Sequence, residues 1–260
     1  IADPNPMRLA RMAAEHGVPT AFQFGSWEDA FARPRFARAA VITTHDTMHV
    51  GPALAAMNMG YDDLLEKPMA TTAAECRALV DAGEQTGRLL QVCHVLRYTP
   101  FFSALREIVA SGRLGDIVTI DHRENASYWH MAHSFVRGSW GNTGRSSPMI
   151  LAKSCHDLDI LLWVMGRPVT RLNSFGSLMH FRADQAPAGA PARCLDGCPV
   201  AQDCPWYAPR VYSAEPGWSG PPATPVFMLG ALDGGDTPET RREALKSSPY
   251  GRCVYRCDND

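Results

Sequence analysis

Residues 39–44 read Ala-Ala-Val-Ile-Thr-Thr, an apolar run that is too short for a helix and lacks the alternation of a half-buried strand. Runs of this kind are typical of strands that are buried on both faces of a parallel sheet. Two further runs, at residues 63–65 and 89–95, have the same character. The three runs therefore predict three buried parallel strands.

Helix-like segments alternate with these runs. Apolar residues recur at helical spacing, with Gly or Pro at the ends, in residues 6–16, 26–31, 49–59, 72–86 and 100–111. Strands that alternate with helices imply crossover connections and a parallel sheet covered by helices on both faces. The sequence therefore predicts an α/β fold with a doubly wound parallel sheet.

The pattern changes after Gly115. Residues 117–123 and 169–181 are strand-like but no longer belong to a simple strand–helix alternation, and residues 149–165 predict one long helix. This change indicates a second domain of a different class.

We place the domain boundary near residue 98, which gives a first domain of residues 1–98 and a second of residues 99–260. Within the second domain, residues 183–238 are rich in Pro, Gly and Cys and show little periodicity. A segment of this length without its own regular structure usually has a function or a structural staple. We therefore interpret residues 183–238 as a Cys-rich insertion.

Composition excludes several classes of protein. The chain has 260 residues, of which 45% are hydrophobic and 20% charged, as in globular proteins. A net charge of −2 favours neither nucleic acid nor an anionic membrane surface as a partner. No apolar stretch approaches the roughly 20 residues of a membrane span. Collagen, coiled coil, transmembrane protein and wholly disordered chain are excluded.

The segment Leu-Glu-Lys-Pro, at residues 65–68, ends the second predicted strand. Ligands of open α/β sheets bind beyond the carboxyl ends of the strands, so Lys67 is expected to point into that crevice as a proton donor or acceptor. Pro68 would fix the turn that presents it, and a cis bond is one way to do so. The alternative is an ordinary surface lysine at a strand end.

Hydroxyl groups and a predicted helix start follow the first strand. Residues 43–49 read Thr-Thr-His-Asp-Thr-Met-His. Hydroxyls and free backbone N–H groups at such a position suit a phosphate, ribose or amide ligand. Simple N-capping of the helix by Asp46 or Thr47 is the alternative.

Two segments of the second domain could contact a substrate. Within the predicted long helix, Lys153, His156 and Asp159 are spaced to share one face, and an imidazole exchanges protons near neutral pH. The alternative for His156 is a core histidine satisfied by its neighbours. Residues 129–140 interleave aromatics with polar groups, which suits a polyhydroxylated ligand or an interface; its candidate substrate-binding residues are His130, Arg137 and Trp140.

Taken together, the order of these motifs resembles the Gfo/Idh/MocA oxidoreductases, a family named for glucose–fructose oxidoreductase and inositol dehydrogenase. Four separated motifs carry the resemblance: the strand with Thr43-Thr44 and His49, Glu66-Lys67-Pro68, Arg97-Tyr98-x-Pro100, and His156-x-x-Asp159. It implies a partial Rossmann-type sheet, followed by an α+β domain with an open, mostly antiparallel sheet.

The resemblance also implies chemistry. Members move a hydride between a nicotinamide cofactor and a hydroxyl carbon of a sugar, inositol or similar polyol. Lys67 and His156 are similar to the family's catalytic residues. Cofactor binding is implied for Asp3, Thr43, Thr44, His45, His49, Glu66, Lys67, Pro68 and Arg97. An acid at Asp3 would accept the adenosine ribose hydroxyls and repel a 2′-phosphate, which favours NAD over NADP.

Both ends of the chain suggest an internal piece of a larger protein. The chain starts at Ile1 and ends at Asp260, and the glycine-rich turn that cradles the pyrophosphate in the family is expected before Asp3. The first domain is therefore expected to lack its first strand–helix unit. A non-catalytic relative that lost dinucleotide binding, or a redox-assisted glycosidase of the same family, remain alternatives.

Five of the eight cysteines lie in the loop-rich tail, after residue 190. Their spacing resembles that of metal ligands, and four thiolates would close a structural zinc site. The predicted ligands are Cys194, Cys198, Cys204 and Cys253, with Cys257 as the alternate to Cys253. An iron–sulfur cluster uses the same ligand count, and the same cysteines could instead form disulfides or stay free thiols.

The expected partners and location follow from this interpretation. The resemblance implies a small-molecule polyol or sugar as substrate and a homodimer or homotetramer as the assembly. No charged segment followed by an apolar one opens the chain, so a cytoplasmic location is expected.

Overall fold

The structure, a computed structural model, describes residues 1–213 and 236–260. The chain forms two compact units, Ile1–Arg106 and Glu107–Asp260. The described ranges contain most of the Cys-rich segment, residues 183–238, but residues 214–235 of it lie outside them.

A three-stranded parallel sheet forms the centre of the first unit. Its strands are β1 (Ala39–Ile42), β2 (Asp62–Leu65) and β3 (Leu90–Val92), in the order β1-β2-β3. The register pairs Ala39 with Asp62 and Asp63 with Leu90. The three predicted strands and their parallel arrangement are confirmed, but the strands are not buried on both faces, because Val41 of β1 is 63% exposed and Leu64 of β2 is 39% exposed.

Helices form where the apolar spacing predicts them, and α3 and α4 connect the three strands. They are α1 (Pro6–Glu15), α2 (Trp27–Phe31), α3 (Val50–Asn58), α4 (Ala73–Thr86) and α5 (Pro100–Ala110). The start of α4 is fixed by a capping box in which Thr72 and Glu75 satisfy each other's backbone N–H groups. Its end is fixed by Gly87, whose φ of 64° lies in the left-handed region.

The core of this unit lies between the sheet and α3 and α4. Its fully buried members include Ala53, Met57, Leu65 and Leu79. This packing fixes the position of the loops that leave the carboxyl ends of β1 and β2.

Within the described ranges the regular structure of the second unit is helical, while most of its residues lie in turns and irregular segments. Its helices are α6 (Tyr128–Ala132), α7 (Met149–Ala152), α8 (Cys155–Met165), α9 (Ala208–Tyr212) and α10 (Pro238–Ala244). A π-turn, His133–Arg137, follows α6 directly. Two apolar clusters surround the cysteine-bearing segments; one contains Val136 and Cys253, and the other contains Cys194 and Leu245.

Three predictions for the second domain are wrong. Residues 117–123 and 169–181 are not strands, and the described part of this unit shows only the isolated bridge Arg193–Arg252 rather than an open antiparallel sheet. A strand depends on backbone hydrogen bonds from another segment, and neither of the two predicted strands has a partner strand in the described ranges.

The predicted helix over residues 149–165 is interrupted. Lys153 and Ser154 form a turn between α7 and α8, and the Ser154 N–H turns back to the carbonyl of Met149. The apolar period continues across this turn, which is why the sequence predicted one helix. None of the helices in the described ranges combines the length and the apolar character that crossing a lipid bilayer requires.

Candidate functional site

The loops at the carboxyl edge of the sheet carry most of the residues predicted to bind a cofactor. Thr43 and Thr44 follow β1, Lys67 and Pro68 follow β2 after Glu66, and Arg97 lies in a helical turn after β3. The carboxyl ends of parallel strands lie at the same edge of a sheet, so all of these groups follow that one edge. The Lys67–Pro68 peptide bond is cis, as the sequence suggested.

A buried histidine joins two of these loops. His49 Nδ1 lies 2.8 Å from the carbonyl oxygen of Pro68, and His49 Nε2 lies 3.0 Å from that of Thr44. A neutral imidazole carries one N–H and can donate to only one of them, whereas the protonated ring donates to both. The ring is buried and each of its nitrogens faces a backbone carbonyl, so His49 positions the loops rather than facing a ligand.

Glu66 connects the ends of the three strands. Its N–H donates to the Ile42 carbonyl at 2.9 Å, and its Oε2 accepts the Lys67 N–H at 3.1 Å. Burial raises the pKa of the Cys93 thiol at the end of β3, and the charge of Glu66 adds to that effect. Lys67 is therefore held at its backbone by the carboxylate that precedes it.

Asp3 lies beside the short pairing of Ala2 with Phe24. Its carboxylate accepts two hydrogen bonds at 3.1 Å from Arg8, one to each oxygen, and a third from the Asn5 N–H at 2.7 Å. Partial burial by itself raises the pKa of Asp3, but the Arg8 hydrogen bond, the Asn5 N–H and the Arg8 charge lower it overall. The predicted ribose acceptor is therefore an ionised carboxylate paired with a cation.

The second unit contains a separate polar cluster at the start of α8. His122 Nε2 lies 2.7 Å from Asp157 Oδ1, and Lys153 Nζ donates to Glu124 Oε1 at 2.7 Å. The hydrogen bond from Lys153 lowers the pKa of Glu124, and the positive charges of Lys153, His122 and His130 add to it. This cluster combines acids and bases at one place, the arrangement that proton transfer requires.

The residues predicted to share one helix face are distributed differently. Lys153 lies in the turn before α8, whereas His156 and Asp159 lie on α8 and are half-buried. The His156 N–H donates to the Lys153 carbonyl at 3.4 Å, so the two residues stay close along the backbone. Lys67 belongs to the first unit and His156 to the second.

The predicted aromatic ligand surface over residues 129–140 is largely interior. Residues 132–138 are buried, while His130 and Trp140 are half-buried. The reason is that α6 continues into the π-turn, and this turn directs its side chains into the protein. His130 stacks on Trp129, with the ring centroids 5.7 Å apart.

Arg137 is placed inside the protein rather than at a ligand surface. It is 1% exposed, and its guanidinium donates to the Arg252 carbonyl at 2.7 Å and to the Trp206 carbonyl at 2.6 Å. Its Nη2 also lies 3.6 Å from Cys194 Sγ. A substrate-binding role for Arg137 is inconsistent with this burial.

All eight cysteines are free thiols, so the disulfide alternative is not adopted in the structure. Four of them line one small cavity beside Arg137: Cys194, Cys198, Cys204 and Cys253. Burial raises the pKa of the Cys204 and Cys253 thiols, which keeps them protonated. Across the described ranges, no three His, Cys, Asp or Glu side chains stand in a metal-binding arrangement in this thiol form.

Sequence patterns alone did not identify His122, Glu124 and Asp157 as members of a functional cluster. His122 and Glu124 are two residues apart in a segment that was interpreted as a strand, and such spacing places both side chains on one side of an extended backbone. That alternation is the sequence feature that could have placed His122 and Glu124 together. Asp157 adjoins His156, and its role was hidden because its partner is distant in sequence.

Comparison with known proteins agrees with the motif order. Residues 1–94 match the family model described as the oxidoreductase family with an NAD-binding Rossmann fold, and residues 102–215 match the model of the GFO/IDH/MocA C-terminal domain. The chain belongs to the Gfo/Idh/MocA oxidoreductase family. The resemblance drawn from four short motifs and the Rossmann-type α/β fold of the first unit are confirmed.

Individual relatives match part of this Gfo/Idh/MocA chain. An inositol 2-dehydrogenase of Pseudomonas fluorescens is 30% identical over 166 residues, 64% of this chain and 46% of that protein. A trans-1,2-dihydrobenzene-1,2-diol dehydrogenase of Bos taurus is 30% identical over 136 residues, 52% of this chain and 40% of that protein. The matches therefore span less than half the length of these relatives.

Solved structures show the same fold. The scyllo-inositol dehydrogenase of Lactobacillus casei superposes with a TM-score of 0.52 at 23% identity, and the match covers 64% of this chain and 46% of that one.

Proposed function

We propose that this chain is part of an NAD-dependent oxidoreductase that oxidises a CH–OH group of a cyclic polyol or sugar. The observation that carries the proposal is the carboxyl edge of the sheet, where the buried His49 contacts the carbonyls of Thr44 and Pro68 and so fixes the turn that presents Lys67. Family membership gives this edge its expected ligand, and relatives named as inositol and dihydrodiol dehydrogenases support the substrate class.

The groups at this edge suit a dinucleotide. The exposed Thr43 and the half-buried Thr44 and His45 follow a strand end, where hydroxyls and backbone N–H groups bind ribose and amide groups. Asp3 supplies an ionised carboxylate that can accept hydrogen bonds from ribose hydroxyls. We therefore propose that Asp3, Thr43, Thr44, His45, Glu66 and Arg97 hold the cofactor, with His49 and Pro68 fixing the loops.

Oxidation of an alcohol removes a hydride from carbon and a proton from oxygen. When bound, the nicotinamide ring accepts the hydride. In the proposal His156 binds the reacting hydroxyl and takes its proton, while Lys67 stabilises the oxygen as negative charge develops on it. The cluster of His122, Glu124 and Asp157 is proposed to pass the proton onward from the substrate side.

NAD is proposed rather than NADP, and a small polyol rather than a polymer. A carboxylate at Asp3 favours a free ribose over a 2′-phosphate, although Arg8 offsets part of its charge. A homodimer or homotetramer and a cytoplasmic location complete the proposal.

The test is turnover of the full-length protein with NAD and a panel that includes myo-inositol, scyllo-inositol and glucose. Lys67→Met and His156→Gln are each expected to lower kcat by about 100-fold or more, because the first removes the charge that stabilises the reacting oxygen and the second removes the group that takes its proton. Matched controls are Lys246→Met, an exposed lysine of the second unit, and His16→Gln after α1; both should keep full activity.

Two outcomes would contradict the proposal. Lys67→Met with unchanged kcat would remove the assigned role of the lysine. Absence of nicotinamide binding by the wild-type protein would favour a non-catalytic relative, and cleavage of a glycosidic bond without net NADH formation would identify a redox-assisted glycosidase.

A further inference from the structure

The cysteine cavity of the second unit carries an inference that is independent of the proposed redox reaction. The cavity is small, about 10 Å³, and lies against Arg137. It is lined by thiols from three stretches of chain: Cys194, the loop that holds Cys198 and Cys204, and the segment that holds Cys253. Four thiols that come together from sites about 60 residues apart in sequence match the ligand count of a closed structural metal site.

The backbone fixes two of these cysteines opposite each other. The Cys194 N–H donates to the Gly251 carbonyl at 3.0 Å, and the Cys253 N–H donates to the Ala192 carbonyl at 2.9 Å. Together with the antiparallel bridge between Arg193 and Arg252, these bonds set the register between the two segments. The two cysteines are therefore held on facing segments that both line the cavity.

The loop that carries the other two cysteines is also fixed by its own contacts. The Cys204 N–H donates to the Val200 carbonyl at 2.9 Å. The guanidinium of Arg210 donates to the carbonyls of Cys204, Ala201 and Gln202 at 2.9, 2.8 and 2.8 Å. Cys198 and Cys204 therefore reach the cavity from a loop whose backbone is already ordered.

The charge of Arg137 points to an anionic centre in the cavity. Within the described residues no carboxylate is found at ion-pair distance from this buried guanidinium; it donates to the carbonyls of Arg252 and Trp206, its Nη2 lies 3.6 Å from Cys194 Sγ, and it lies 5.9 Å from the centre of the Tyr212 ring. A buried cation is costly unless an opposite charge compensates it. Four thiolates around one divalent cation carry a net negative charge, which supplies that compensation.

The volume of the cavity favours a single metal ion over an iron–sulfur cluster. A volume of about 10 Å³ is that of a single water-sized sphere, so one ion fits. An iron–sulfur cluster, with several iron and sulfide atoms, would require the surrounding segments to move apart. Cys257 does not line the cavity, and its Sγ lies 3.3 Å from the Cys253 carbonyl oxygen, where the thiol donates a hydrogen bond.

We propose that Cys194, Cys198, Cys204 and Cys253 bind one zinc ion that staples the Cys-rich segment to the end of the chain beside Arg137. Binding replaces four S–H protons by four bonds of about 2.3 Å from sulfur to zinc and releases the protons to solvent. The site is closed by protein ligands, so its role is structural.

The experiment measures zinc, iron and acid-labile sulfide in the purified full-length protein. The wild type should contain about one zinc per chain, and Cys194→Ser, Cys204→Ser or Cys253→Ser should each contain below about a tenth of that. Cys257→Ser is the matched control, because it removes a neighbouring thiol that lies outside the cavity; it should keep its zinc. Cys76→Ser in the first unit is a second control.

A second measurement uses only the wild type, so it does not depend on whether the cysteine variants fold. Chelator-stripped wild type titrated with Co²⁺ should develop the intense visible bands of a tetrahedral site with four thiolates at one equivalent, and zinc should displace them. Wild type with neither metal bound and no cobalt bands would overturn the proposal. So would one equivalent of iron in place of zinc, or loss of zinc in Cys257→Ser alone.

Discussion

The imidazole Nδ1 of His49 lies 2.8 Å from the carbonyl oxygen of Pro68, so a buried ring at the start of α3 holds the turn that follows β2. The same ring reaches the Thr44 carbonyl through Nε2 at 3.0 Å. The loops after β1 and β2 are therefore joined through one side chain. The resemblance to the oxidoreductases had assigned His49 to the cofactor, but its contacts give it a positioning role.

His49→Phe is expected to lower the free energy of unfolding by about 2–3 kcal/mol. Phenylalanine fills the space but donates no hydrogen bond, which leaves the Pro68 and Thr44 carbonyls without this partner. Denaturant unfolding measures the loss. His16→Phe, at an exposed position after α1, is the control and should change stability by less than about 0.5 kcal/mol. Equally small losses of unfolding free energy in both variants would show that the His49 ring does not hold the two loops together.

Asp63 gives the first unit a predictable dependence on pH. Its side chain is 2% exposed in the middle strand, and neither carboxylate oxygen has a hydrogen-bond partner in the described ranges. Burial, with a smaller contribution from the charge of Asp62, raises the pKa of Asp63 to about 7 from an ordinary 3.8. Between these values the folded state binds the proton that the unfolded state has released, so stability falls as pH rises from about 4 to about 7.

Asp63→Val should therefore stabilise the protein by about 2–4 kcal/mol near pH 8, with a smaller gain near pH 4, where the native carboxyl is neutral. Unfolding curves over this pH range measure both the gain and the slope. Asp81→Asn, which changes an exposed carboxylate on α4, should leave the slope unchanged. A wild-type stability that is flat between pH 4 and pH 7 would contradict the assignment to Asp63.

The pair of His122 and Asp157 should show strong coupling. Asp157 is buried, its Oδ1 lies 2.7 Å from His122 Nε2, and its Oδ2 has no partner within the described residues. Removing the histidine leaves a buried acid with no partner, so His122→Leu should cost about 1–3 kcal/mol and Asp157→Leu added to it should recover much of that loss.

The neighbouring pair of Arg123 and Asp121 is a matched control for that cycle. Its side chains are 79% and 76% exposed, so solvent screens the interaction and the coupling should lie below about 0.5 kcal/mol. A double-mutant cycle by denaturant unfolding gives both couplings. If the exposed pair couples as strongly as the partly buried pair of His122 and Asp157, the interpretation of the polar cluster is wrong.

The sequence predicted the first unit well because its signals are local. β1 is a short, continuous apolar run, and β2 ends in Leu64-Leu65. Thr72, Glu75 and Gly87 mark the ends of α4 with residues whose chemistry fixes a terminus. The cis bond before Pro68 and the strand-end position of Lys67 follow from the same kind of local pattern.

The second unit could not be predicted as well because its structure depends on distant partners. Residues 117–123 have the composition of a strand, but composition does not supply the second strand that pairing requires. Arg137 was predicted to lie at a ligand surface because nothing near it in sequence reveals the Cys194 thiol and the Trp206 and Arg252 carbonyls that receive its hydrogen bonds. The same distance hid the pairing of His122 with Asp157.

Gly251 is a position where any side chain should disrupt the second unit. A Cβ added there would lie 1.8 Å from the Leu245 carbonyl oxygen, so the backbone next to Cys253 would have to move. Gly251→Ala should lower the free energy of unfolding by more than about 2 kcal/mol. Gly176→Ala, where an added Cβ has no neighbour within 4 Å, should be near neutral. A similar stability for both variants would contradict this packing.

The pairing of Asp3 with Arg8 should set the cofactor preference, if the proposed function holds. The Arg8 guanidinium neutralises part of the carboxylate charge that repels a 2′-phosphate, and it is itself a cation able to attract one. Arg8→Ala should therefore raise the ratio of the NADP Kd to the NAD Kd by about tenfold, whereas Asp3→Asn should lower this ratio by a similar factor. Quenching of protein fluorescence by each cofactor gives the two constants.

Arg11→Ala, an exposed arginine on the same helix, is the control and should leave the ratio unchanged. Because both variants keep Lys67 and His156, turnover at saturating cofactor should persist; an unchanged ratio in both variants would remove the role of Asp3 in cofactor selection without touching the assignment of the catalytic residues.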